Sequence, residues 1–192
     1  VGGSVVETNI HYPTDSTLMG DGVRVLTRIM KRVAEAAGKA GEKLRDRTRS
    51  VKRRILEIAL ASRDKSERGQ EKIKAAYGKL LEVTSRVVGQ AKRISGALSG
   101  RGKKVTATVR KAKRQLDKMI PRVQQVMKQA RERVLGGNTR AGNKIVSVFE
   151  PQTEVIRKGK AGKPTEFGKM VKIQEAENQI ITHVEAFDQR PS

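Results

Sequence analysis

The sequence predicts an α+β protein: a short strand at the start and a group of antiparallel strands at the end, separated by a long basic helical region. Three observations carry this. "SVVETNI", Ser4–Ile10, alternates with period two, as a short strand does. From Val23 to Val134 apolar residues recur every three or four positions, the spacing of amphipathic helices. After Lys144 the period returns to two. The first strand needs sheet partners, and only the C-terminal strands supply them. The helices therefore read as an excursion between two parts of one sheet.

Taken in order, Tyr12-Pro13-Thr14-Asp15-Ser16 reads as a turn and helix start, with Asp15 or Ser16 placed to cap. Val23, Leu26, Met30, Val33 and Ala37 form the first helical stripe, which Gly38 and Gly41 weaken. It resumes through Leu44, Thr48, Val51, Ile55 and Ile58. Asp64-Lys65-Ser66-Glu67 has capping-box spacing before a long run from Ile73 to Leu98. Ser99-Gly100-Arg101-Gly102 breaks that helix, and a further one extends from Val105 to Val134. Pro121 is expected to kink or interrupt it, and Gly136-Gly137-Asn138 to end it. "KIVSVFEP" and "TEVIRKG" read as strands around Pro151. "KMVKIQE" and "QIITHVEAF" read as a hairpin turning at Ala176-Glu177-Asn178, with Lys158–Phe167 a connection. The expected division is 1–20 for the first strand and turn, 21–135 for the helices and 136–192 for the strand-rich end.

The net charge of +22 falls unevenly along the chain. Between Asp21 and Leu135 there are 33 Lys+Arg against 11 Asp+Glu, while the rest of the chain is neutral. Such a middle predicts a polyanion partner, because uncompensated self-repulsion destabilises a compact state. The densest cluster is "RDRTRSVKRR", with Arg45, Arg47, Arg49, Lys52, Arg53 and Arg54 as candidate DNA-binding residues. Taken alone, any such cluster also suits a solvated face. Tyr77 is the only aromatic of the middle, so phosphate contact is expected and base stacking is not. There is no cysteine, which excludes disulfides and thiolate metal sites. No apolar run has the length of a membrane span and no signal-peptide pattern opens the chain, so a cytoplasmic, nucleoid-associated protein is expected. The chain lacks an initiating Met and begins and ends beside patterned sequence, which reads as a piece of a longer protein.

Other candidates are weaker. His11 and His183 match no metal-ligand spacing and read as ordinary histidines. "RKGKAGKPT", Arg157–Thr165, lacks the phosphate-loop spacing, and Pro164 removes a backbone donor, so it reads as a basic connection. Glu7, Asp15, Asp21 and Asp188 lie on or near strand ends, where two-metal phosphoryl transfer would need several carboxylates to converge. Singly, Asp15 and Asp21 suit helix capping better.

"SVVETNIHYPTDSTLMGDGVRVLTR" (Ser4–Arg28), "RDRTRSVKRR" and "VFEPQTEVIRKGKAGKPTEFGKMVKIQEAENQIITHVEAFDQRPS" (Val148–Ser192) resemble DDE transposases of bacterial insertion sequences. The resemblance implies a partial RNase H-like fold interrupted by a helical insertion, with "SVVETNI" as its central strand. It implies Mg²⁺-dependent strand cleavage and transfer in the intact family, with DNA as partner and a homo-oligomer in the intact protein. It also puts the first catalytic Asp where Gly2 or Gly3 stands here and the second beyond Ser192, with a Glu further on. The chain is thus expected to be catalytically incomplete and to bind no metal, leaving Glu7 and Asp188 as weak substitutes. The alternative expectation is a non-enzymatic, nucleoid-type DNA-binding protein using the same helices.

Overall fold

The computed structural model describes residues 2–8, 10, 12–37, 44–99, 106–140, 142–157, 165–176 and 180–186. It is a mixed structure of helices and one antiparallel sheet. The chain divides into two compact units, residues 1–13 with 145–192 and residues 14–144. The helical unit thus lies in sequence between the two stretches that make up the sheet unit.

In the sheet unit, β1 (Gly2–Glu7) pairs antiparallel with β3 (Thr165–Ala176), with Gly2 opposite Ile173 and Glu7 opposite Gly168. On its other edge β3 carries β2 (Glu154–Arg157) at its N-terminal end and β4 (Ile180–Ala186) at its C-terminal end. So β3 is the central strand, and β1 lies at an edge among the described residues. The expectation of a central β1 is corrected. Val6 lies opposite Lys169 and is largely exposed, and Val184 pairs across the other edge of β3. Gly168 allows the close approach of β1, because a Cβ there would meet the Val6 carbonyl oxygen at 2.1 Å.

"KIVSVFEP" is not a strand. The Ser147 hydroxyl accepts from the backbone N–H groups of Phe149 (3.3 Å) and Glu150 (3.1 Å) and draws the backbone into a turn. Such local side-chain bonds compete with a strand ladder. Val148 is nevertheless fully buried, and that burial is what its apolar pattern reports.

The helical unit contains α1 (Asp15–Ala37), α2 (Thr48–Ala61), α3 (Glu67–Ser99) and α4 (Ala107–Ala130), the last continuing into a π-helical turn at Arg131–Leu135. α1 and α3 pack on one another, and both α2 and α4 pack on that pair. Met19, Leu26, Met30, Leu80, Leu116 and Val123 are enclosed in the core. Removing each such side chain from water contributes about 1.5–3 kcal/mol. Gly22 lets α1 approach α4, since a Cβ there would meet Val123 at 2.5 Å.

The helix ends follow local chemistry. The cap of α1 is Thr14, whose Oγ1 accepts from the Thr17 N–H (3.2 Å), while the Thr14 N–H donates to Thr17 Oγ1 (3.0 Å). Asp15 and Ser16, expected to cap, are buried instead. At α3, Ser66 Oγ accepts from the Gly69 N–H at 3.2 Å. The cap is therefore Ser66, and Asp64, the expected one, accepts from the Ser66 N–H (3.0 Å) and hydroxyl (2.6 Å). Leu44 lies outside any helix. Pro121 sits within the continuous α4, on its exposed side, where its ring removes the donor that would meet the Asp117 carbonyl. Gly137, with φ +69°, ends the helical region in the left-handed conformation that glycine adopts without steric cost.

Candidate nucleic-acid interface

Counted by unit, the helices hold 35 Lys+Arg against 12 Asp+Glu, and the sheet unit 7 against 8. The positive charge belongs to the helices. Within them it converges where the N-terminal end of α2 lies against the middle of α3. Arg45, Arg47, Arg49 and Arg53 line a groove of about 420 Å³ with Val83 and Arg86 of α3.

Asp46 fixes the local backbone. Its Oδ1 accepts from the Thr48 N–H (2.9 Å) and hydroxyl (2.6 Å), and its Oδ2 lies 2.7 Å from Lys31 Nζ of α1. The Lys31 ammonium, then the Thr48 hydroxyl and N–H, hold the Asp46 carboxyl down to about 2. The arginines on either side are thus carried on an anchored segment.

Arg47 is the half-buried member. Its Nη1 donates to the Arg45 carbonyl (3.2 Å) and to Gln90 Oε1 of α3 (3.4 Å). Burial, then the nearby guanidinium groups of Arg45, Arg86 and Arg93, lower its pKa from the usual arginine value. An arginine keeps its proton all the same. The shift records burial first and crowded like charge second. The first turn of α2 holds no acid, but the Asp46 carboxylate just before it accepts from the Thr48 N–H and offsets the positive end of the helix dipole.

The six candidates separate here. Arg45, Arg47, Arg49 and Arg53 face the groove, with Arg53 Nε 3.9 Å from Glu57. Lys52 is exposed on α2 and does not line it. Arg54 is turned away: its Nη1 donates to both Glu57 oxygens, at 2.6 and 2.8 Å, and holds that carboxyl below its usual range. Sequence reasoning missed Arg86 and Arg93, which enter only through the packing of α3 on α2. Their seven-residue separation on α3 was the one available signal.

The candidate acids are engaged separately. Asp15 accepts from Gln129 Nε2 (3.0 Å) and lies 2.8 Å from Arg133 Nε, tying α1 to the end of α4. Asp21 is paired with Arg24. Glu7 ends β1 in the other unit. Asp188 and His11 lie outside the described residues, and so does most of Arg157–Thr165. His183 is exposed on β4, 3.9 Å from Glu185. Among the described residues no three His, Cys, Asp or Glu side chains gather as metal ligands. Among the described residues no set of acids is placed to hold a Mg²⁺ pair. Tyr77 is buried in α3 and offers no stacking platform. No described helix is long and apolar enough to cross a membrane.

Comparison with protein-family models, curated proteins and solved structures finds no match to this chain.

Proposed function

We propose that this chain is part of an insertion-sequence transposase of the DDE type, and that its helical unit binds duplex DNA through the phosphates. The observation that carries the DNA reading is the groove where Arg45, Arg47, Arg49 and Arg53 meet Arg86. Arginine forks suit phosphate oxygens, and phosphate contacts carry no base information. The transposase reading rests on the sequence strings, and the helical excursion from an antiparallel sheet is compatible with it. An RNase H-like sheet, Mg²⁺-dependent strand transfer, a homo-oligomeric assembly and a nucleoid location belong to the proposal.

A second reading, a non-enzymatic DNA-binding protein, is favoured by the separate engagement of Asp15 and Asp21. A labelled duplex incubated with the chain and Mg²⁺ or Mn²⁺ distinguishes the two. No cleavage is expected. Cleavage lost on Glu7→Gln or Asp188→Asn would make those residues ligands and restore a catalytic role.

Binding itself is tested by titrating duplexes of unrelated sequence at several salt concentrations. Affinity should fall steeply with salt and alike for all sequences, with each phosphate contact adding about 0.9 to the log–log slope. A flat salt response, or strong preference for one sequence, would sink the phosphate reading.

A further inference from the structure

Arg86 also lines a second groove, of about 380 Å³, on the other side of the exposed ridge of α3. Its other walls include Gly78, Leu81 and Ser85 of α3, with Arg131 and Leu135 of the π-helical turn. The π turn places alternate arginines in different settings. Arg133 meets the buried Asp15, while Arg131 lines the groove. Gly78 leaves the wall open, since a Cβ there would meet nothing within 4 Å. A glycine inside a helix costs about 1 kcal/mol against alanine. The groove also holds one acid, Glu82, 2.5 Å from Arg86 on the same helix. Both side chains are more than half exposed, so their pairing is weak and an entering phosphate can displace it.

We infer that the two grooves form one phosphate track across α3, with Arg131 as its far contact and Arg86 as the shared one, held by Glu82 until DNA replaces that carboxylate. The inference rests on the DNA reading above and extends it to a surface outside the arginine-rich segment of the sequence. Glu82 is then an internal competitor for the same guanidinium.

The test measures the affinity of the full chain for a short labelled duplex over a range of salt. Arg131→Gln should lower the salt slope by about 1, and Arg131→Lys should restore it. Lys118→Gln, on the outer face of α4, should leave the slope unchanged. Glu82→Gln should tighten binding several-fold, and that gain should vanish in the presence of Arg86→Gln. A slope unmoved by Arg131→Gln, an equal drop with Lys118→Gln, or a Glu82→Gln gain that persists without Arg86 overturns the track while leaving binding at the first groove intact. Absent or salt-independent binding by the unaltered chain overturns both.

Discussion

The two units use their apolar residues in opposite ways. In the helical unit Leu26, Met30, Leu80 and Leu116 are enclosed on all sides and the charge lies outside them. In the sheet unit β4 is exposed along its length, with Ile180, Ile181 and Val184 each about 60% accessible. The sheet unit is close to neutral, and the helical unit carries the whole positive excess. The difference teaches that charge and stability are supplied by the same unit here. A bundle with a complete core can hold crowded arginines on its surface, because burial elsewhere offsets their repulsion.

The largest expected effect comes from removing that charge. Arg45→Gln, Arg47→Gln, Arg49→Gln and Arg53→Gln together should lower the salt slope of DNA binding by about 3–4. Arg54→Gln should leave the slope nearly unchanged, because that guanidinium is committed to Glu57. An equal loss from Arg54→Gln would mean that net charge, not the groove, drives binding.

Stability divides the units next. Leu26→Ala should cost about 2–5 kcal/mol in a denaturant titration, as cavities in closed cores do. Val184→Ala should cost less than about 0.5 kcal/mol, since its side chain is largely in water. Similar costs at the two sites would remove the contrast.

The smallest effect is in pH. The Asp46 pKa is lowered from 3.8 to about 2, so its contribution is fully present above the unfolded value and is lost as pH falls through the folded one. Acid unfolding followed between about pH 4 and pH 2 should therefore show a shallower loss in Asp46→Asn than in the unaltered chain. Identical profiles would mean that the Lys31–Asp46 contact is not maintained in solution.

Much of the layout was legible in the sequence, because periodicity reports burial directly. The stripe Val23–Leu26–Met30–Val33 is the buried face of α1, and the pairing of β1 with a C-terminal strand follows from the lack of any other partner. "KIVSVFEP" misled because Val148 is buried by tertiary packing while Ser147 bends the backbone. The site was half legible. Arg45–Arg53 announce themselves as a cluster, and the loss of Arg54 to Glu57 is a local pair three residues apart on α2, but the gain of Arg86 and Arg131 depends on helix contacts far apart in sequence. Gln129 and Arg133 on Asp15 are hidden for the same reason, lying more than a hundred residues from their partner.

The central claim is that DNA is held by the helical unit through the face where α2 meets α3. Photochemical cross-linking of the full chain to a duplex, followed by peptide mass spectrometry, tests it most directly. Cross-links should fall within residues 44–54, 82–93 and 131–135, and disappear as salt rises. Cross-links confined to residues 165–186 of the sheet unit would contradict the account.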